Sequence, residues 1–351
     1  MDGNNAVRAF MGSFTSAGGP GVTVAAVDRD TGELTLIGAT DAVPDPSYLA
    51  ASGDGSVLYA VSETAEGAAA AFDVAGEVPR LLGGLRSVEG DGPTHLALAA
   101  GHLVTANYGS GSVTVLPTRD DGSLGAAVAV IQHEGSGPDP ERQEGPHAHQ
   151  VRPDPSGRWL LSVDLGTDSV RVEEIDPLTG ETRRHGETAL RPGTGPRHLA
   201  FHPAGGHAYV LNELEPTLTV CRWDAAAGVL EPLHETPVLP QDALGDGEER
   251  TYPSEVVVSP DGRFLWTANR GHDSISVLTL DETGGKALLA ATVGCGGHWP
   301  RDLALGPGGR WLYAANERSG NVARFAVDQE TGVPTAAGSV DVPAVSCVIF
   351  A

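Results

Sequence analysis

Apolar and polar residues alternate along this chain in short runs with a period of two. Residues 112–116 read SVTVL, 217–223 read TLTVCRW and 274–280 read SISVLTL. That period places successive side chains on opposite faces of a strand, and no stretch sustains the 3.6-residue period of a helix. The runs belong to a larger unit. Pro46, Pro93, Pro146, Pro196, Pro253, Pro300 and Pro343 each introduce one, and they lie about fifty residues apart. After Pro196, Pro253 and Pro300 come two strand-like runs separated by Pro203-Ala204-Gly205, Pro260-Asp261-Gly262 or Pro307-Gly308-Gly309, which are turn sequences. A third run follows, then a fourth after a Thr-Gly or Asp-Gly turn such as Thr179-Gly180 or Thr331-Gly332. Four antiparallel strands per repeat is the blade of a β-propeller, so an all-β, seven-bladed propeller is expected, with residues 1–351 forming one domain.

The chain ends predict how the ring closes. Residues 10–27 read as later strands of a blade that lacks its first, and residues 344–350 as a first strand without the others. N- and C-terminal strands sharing one blade would leave no unpaired edge. The longest insertions, 132–145 and 241–251, both enter the first strand of a blade and are polar, acidic and rich in Gly and Pro. Each is either disordered decoration or a rim around a pocket.

Composition fits short strands and tight turns, with 47 Gly, 25 Pro and 19% charged residues. A net charge of −24 argues against nucleic acid or an anionic membrane as partner, and an anionic ligand would need a local cluster of Arg. Cys221, Cys295 and Cys347 are widely spaced and odd in number, which points to reduced, buried thiols. The N-terminus shows no apolar signal region, so a cytoplasmic location is expected, and a closed ring is expected to be a monomer.

Candidate chemistry follows from strand geometry. In an antiparallel pair the start of one strand adjoins the end of the next, so the residues after each Pro and those ending the second strand meet at one mouth of the channel. These include Tyr108, His147, His149, Asp164, Arg197, His198, Glu213, Glu255, Arg270 and Arg301. The recurring residues Asn107, Asn212, Asn269 and Asn316 read as structural groups that hydrogen-bond the backbone of the next blade, and Asp164 occupies the matching position. Departures from the repeat are more informative. His149 takes the slot filled by Thr94, Arg197, Ser254 and Arg301 elsewhere, while Glu213 and Arg270 directly follow the terminal Asn of their strands. An imidazole, a carboxylate and several guanidiniums at one mouth make a candidate site. The scattering of carboxylates among Arg disfavours a calcium site, and neither metal nor cofactor is expected.

At these residues the chain resembles the lactonase-type seven-bladed propeller family. GPHAHQV with GRWLLSVDLGTDSV, GPRHLAFHP, SPDGRFLWTANRGHDSI and PRDLALGPGGRWLYAANERSGNV carry the likeness, together with FMGSFTS and TANYGSGSV. It covers nearly the whole chain. The family includes 6-phosphogluconolactonases and cyclising enzymes that act on carboxymuconate. The resemblance implies His149 as catalytic His, Arg197 and Arg270 as its paired arginines and Glu213 as the carboxylate. Pro253 departs from the family pattern beside Glu255. The activity implied is hydrolysis of a small anionic sugar lactone, with His149 or Glu213 accepting the proton of water and the arginines holding the anion. Reversible lactonisation of an unsaturated dicarboxylate, or ligand binding without catalysis, are the alternatives.

Overall fold

The computed structural model of the chain describes residues 7–244 and 250–351. Seven antiparallel sheets surround a channel. Blade 1 joins both ends of the chain, with Val345–Phe350 innermost, then Arg8–Ser13, Val22–Val27 and Leu34–Thr40. Blades 3 to 7 each run outward through four strands, their innermost being Pro93–Ala99, Ala148–Pro153, Pro196–Phe201, Tyr252–Val258 and Pro300–Leu305. In blade 2 the innermost strand is Leu49–Ala51, and the outer strand is broken into Arg80–Leu81 and Arg86–Ser87. Gly83, at φ 71°, and Gly84 interrupt the pairing there.

Closure is as the termini imply. Phe10 pairs with Ile349 and Gly12 with Cys347, and the amides of Arg8 and Ala351 each donate to the other's carbonyl at 3.0 Å. Gly12 has to be glycine, because a Cβ there would lie 2.2 Å from the Pro46 carbonyl oxygen of the adjoining blade.

Apolar faces of neighbouring sheets make the core between blades. One cluster combines Trp159, Val163 and Val172 of blade 4 with Leu199, Val210 and Trp223 of blade 5. Polar tips of buried aromatics then tie one blade to a turn of the next. Trp159 Nε1 donates to the Ala225 carbonyl, Tyr209 OH to Gly284 and Trp266 Nε1 to Gly332, each at 2.8 Å, and Tyr313 OH to Gly32 at 2.6 Å. Each ring removes a large apolar area from water while its one polar atom stays satisfied. Cys221, Cys295 and Cys347 are buried and unbridged.

One irregularity of the blades prepares the site. In blades 1, 3, 4, 5 and 7 the innermost strand carries one extra residue near its start, at Ser346, Thr94, His149, Arg197 and Arg301. In blade 6 the extra residue falls within Ser254-Glu255. A bulge re-aims a side chain away from the pleat. Here the bulge residues reach round the channel to the following blade: Thr94 Oγ1 donates to the His149 carbonyl at 3.3 Å, Arg197 Nη1 to that of Ser254, Ser254 Oγ to that of Pro300 at 2.6 Å, and Ser346 Oγ to that of Ser47 at 2.7 Å.

Candidate functional site

Because every innermost strand runs the same way, the bulges gather at one end of the channel. Glu213 follows Asn212 at the end of its strand, His207–Asn212, and sits at the centre of the charges there. Its Oε2 lies 3.0 Å from Arg197 Nε and 2.8 Å from Arg270 Nη2, and its Oε1 accepts from Arg142 Nη2 at 2.6 Å. Burial alone would raise its pKa, but Arg270, Arg197 and Arg142 outweigh it and hold the carboxyl at about 2. Glu213 is therefore a permanent anion and a very weak base. Both contacts are ion pairs, made by buried guanidiniums that meet the same carboxylate oxygen. Arg270 Nε donates to the Tyr252 carbonyl at 3.1 Å, and its guanidinium lies over the Trp299 ring.

His149 is buried beside these groups, and its Nδ1 has no hydrogen-bond partner among the described residues. Burial first, and then the nearby Arg197, His198, Arg301 and Arg270, depress its pKa well below the ordinary value. The ring is thus neutral at physiological pH and carries a free lone pair or a free N–H, depending on tautomer. Tyr108 meets it edge-on at 5.6 Å between centroids and stacks on His147 at 4.5 Å. His147 is fixed by the Tyr108 carbonyl at 2.9 Å and Glu144 at 3.2 Å.

Deeper in the channel, His198 packs edge-on against His149 at 5.1 Å and against His95 at 5.3 Å, and His95 lies tilted against Tyr48 at 4.1 Å. Glu255 Oε2 lies 2.7 Å from His198 Nδ1, while His198 Nε2 has no partner among the described residues. The bulge that contains Glu255 follows Pro253, and it turns this carboxylate inward. Asp302 lies against Glu255. Burial and then the Glu255 charge push its pKa well up, while His198 and Arg197 outweigh burial at Glu255 and hold that carboxyl down. The far end of the channel opens into a cavity of about 700 Å³ lined by Tyr48, His95, Arg152 and Ala351. Arg152 is its one arginine among the described residues, and Arg197, Arg270 and Arg301 are not part of its lining.

Arg301 stands apart from Glu213. Its guanidinium lies 3.4 Å from Glu63 and 3.2 Å from Glu317. Asp164 departs from its expected role at the mouth, since it is fully buried and its oxygens are all engaged. It accepts from the amides of His147 at 2.9 Å and Thr167 at 3.0 Å, and pairs with His133 at 2.6 Å and Arg171 at 3.2 Å. With no capacity left it serves as a post for the 132–145 loop and does not face a ligand. Three of the recurring Asn also differ from expectation. Nδ2 of Asn107, Asn212 and Asn269 clamps two hydroxyls on the third strand of its own blade: Ser112 and Thr114, Thr217 and Thr219, Ser274 and Ser276. Asn316 instead donates to the Cys295 carbonyl at 3.1 Å. Asn316 thus bonds backbone at the end of blade 6, as expected of a group that ties blades together, whereas the other three meet the adjacent strand of their own blade.

The 132–145 insertion is a compact rim. Gln143 Nε2 donates to the Leu165 carbonyl at 2.8 Å, and Gln143 N to that of Asp139 at 2.8 Å. Residues 245–249 of the second insertion lie outside the described residues. Ser162 Oγ lies 3.4 Å from His133 Nε2, giving a Ser-His-Asp sequence of contacts with Asp164. All three are buried inside blade 4, so no substrate can reach that hydroxyl.

Three site residues escape the sequence reading. Ser62-Glu63 ends a second strand as Asn212-Glu213 does, so the repeat could have disclosed Glu63. Tyr48 lies two residues after Pro46, among the residues that start a first strand. Arg142 sits in an insertion with no counterpart in other blades and carried no signal.

Comparison with known proteins bears on the family of the chain. The family model described as Lactonase, 7-bladed beta-propeller matches residues 8–350. A protein of Bacillus subtilis named 6-phosphogluconolactonase is 33% identical over 297 residues, covering 83% of this chain and 82% of its own. The structure of a putative 6-phosphogluconolactonase from Bacteroides fragilis superimposes with a TM-score of 0.91 at 32% identity, covering 100% of this chain and 99% of that one. A structure described as a periplasmic gluconolactonase of Pseudomonas aeruginosa gives 0.91 at 29% identity, covering 99% of each chain. With a family match over almost its full length and this ring of seven blades, the chain belongs to the seven-bladed β-propeller lactonases.

Proposed function

We propose that the protein hydrolyses a sugar δ-lactone of the 6-phosphogluconolactone type. The observation that carries this is the convergence on one mouth of His149 Nδ1, buried and without a partner among the described residues, with the buried guanidiniums of Arg197 and Arg270, both paired to Glu213. A buried polar atom without a partner is costly, by about 1–3 kcal/mol, unless a ligand completes it. A neutral imidazole beside two cationic groups suits an electrophilic carbonyl and an attacking water.

In this mechanism His149 accepts a proton from water as its oxygen attacks the lactone carbonyl carbon. Arg197 and Arg270 stabilise the oxyanion, a role typically worth about 3 kcal/mol per donor. As the tetrahedral adduct collapses, the ring C–O bond breaks and the departing alkoxide takes the proton back from His149. The product is the open sugar acid. Glu213 keeps both guanidiniums charged and oriented, and is not the base.

The test is turnover. Purified protein should open 6-phosphoglucono-δ-lactone well above the buffer rate in a pH-stat, and His149→Ala should reduce kcat by about 10²–10⁴-fold while melting as the wild type does. No acceleration of either phosphorylated or unphosphorylated lactone would leave a ligand-binding propeller.

A further inference from the structure

Arg142 is the most exposed of the three guanidiniums on Glu213. Its side chain is 32% exposed, against 4% for Arg197 and 8% for Arg270. One carboxylate faces three cations there. Among the described residues both hydrogen bonds of Arg142 leave from Nη2, to Glu213 at 2.6 Å and to the Tyr108 hydroxyl at 3.3 Å. The Nη1 and Nε edge of the fork is uncommitted. Its guanidinium also lies over the Tyr252 ring, 5.7 Å from the centroid.

The rim that carries Arg142 is fixed at both ends. His133 and Asp164 pair at its base in a fully buried contact, and Gln143, next to Arg142, is tied to the Leu165 carbonyl and to Asp139. Held this way, Arg142 projects over the mouth from outside the ring, while Arg197 and Arg270 lie within it. A guanidinium with a free edge, placed above the reacting groups, suits a compact dianion at the far end of a substrate.

We propose that Arg142 is the specificity-determining residue of this site, binding the remote phosphate of the substrate and so separating phosphorylated from unphosphorylated sugar lactones. This rests on the lactonase reading for the identity of the substrate, although the binding it describes can be measured without catalysis.

The wild type, Arg142→Gln and Arg142→Lys proteins are titrated calorimetrically with 6-phosphogluconate and with gluconate, which are stable in solution. The wild type should bind the phosphorylated acid at least ~10-fold more tightly. Arg142→Gln should bring the ratio to within about twofold, with the loss falling on the phosphorylated acid, and Arg142→Lys should restore part of it as a point charge. The proposal is overturned if the wild type shows no preference, or if Arg142→Gln weakens both acids alike and keeps the ratio. Turnover of both lactones is followed on the same preparations. A phosphate preference that Arg142→Gln abolishes, without turnover of either lactone, keeps Arg142 and removes the lactonase reading. Turnover with a ratio that Arg142→Gln does not change does the reverse.

Discussion

Glu213 and His149 show how one neighbourhood drives two groups in useful directions. Arg197 and Arg270 help to hold Glu213 at about pKa 2, and they add to the burial that, as the larger cause, keeps His149 neutral. A base whose protonated form is repelled by Arg197, Arg301 and Arg270 stays competent well below neutrality. In the free protein, kcat/KM should therefore be flat through pH 7 and fall only on the acid side of 6.5. A bound anionic substrate offsets the arginine field and raises the His149 pKa, so the acid limb of kcat should lie at higher pH than that of kcat/KM. Coincident limbs would remove His149 as the group being titrated.

Stability should follow the same charges. His95, His149 and His198 all have depressed pKa values in the folded protein, chiefly through burial. For a group depressed on folding, the stabilising contribution is complete above the unfolded value of about 6.5 and is lost as pH falls toward the folded one. Glu213 adds a second window, since its contribution is complete above about 4.5 and is lost on the way to about 2. Glu63, Glu173 and Asp302, whose pKa values burial raises, act in the opposite sense between pH 7 and 5. The fall in melting temperature should therefore be clearest below about pH 4.5, and a Tm that does not fall between about pH 4.5 and 3 would contradict the pairing of Glu213 with the arginines.

At the scale of elements, the bulged first strand and the anchored rim do the positioning. A regular strand would send His149 into the pleat, whereas the extra residue turns it toward the channel, and the same holds for Arg197 and Arg301. The rim depends on a buried cluster of Asp164, Arg171 and His133. Removing Asp164 by mutation to Ala strands Arg171 and His133 inside blade 4 and should cost about 3–5 kcal/mol in urea unfolding. Ser162→Ala, in the same cluster, should leave lactone turnover at the wild-type level, because that hydroxyl is sealed from substrate. A large loss of kcat in the serine variant with unchanged stability would show that the buried Ser-His-Asp contacts do chemistry after all.

At the scale of the whole molecule, closure of blade 1 protects every inner edge. Truncation after Pro343 removes Val345–Phe350 and exposes the Arg8–Ser13 strand along its hydrogen-bonding edge. Such a chain should aggregate or melt far below the full-length protein, as read by size-exclusion chromatography and thermal unfolding. A monodisperse, native-like truncation product would mean that packing between blades, and not the shared blade, keeps the ring shut. The ring is also what converts sequence distance into proximity. Arg142, Arg197, Glu213 and Arg270 come from three insertions or blades and meet around one carboxylate.

Much of this was legible in the chain because the repeat is written at the level of single residues. Alternation gave the strands, the recurring Pro gave the blades, and positional comparison picked out His149, Arg197, Glu213 and Arg270 as departures from a pattern. Asp164 was legible as a counterpart of the Asn positions. Its saturation by His133 and Arg171 was not, since His133 reaches it from outside the repeat frame and only packing shows that Arg171, on the third strand of blade 4, turns toward it. Arg142 was silent because it too lies outside that frame.

The sequence by itself therefore determined the elements, their order around the ring and which end of the channel carries polar side chains, because strand periodicity and turn chemistry are local properties. Only the tertiary structure decided which carboxylate is a fixed anion, which imidazole is left unpaired and which loop arginine overhangs the mouth. Those outcomes depend on burial and on Coulomb contacts between blades, and neither is encoded in the spacing of residues along the chain.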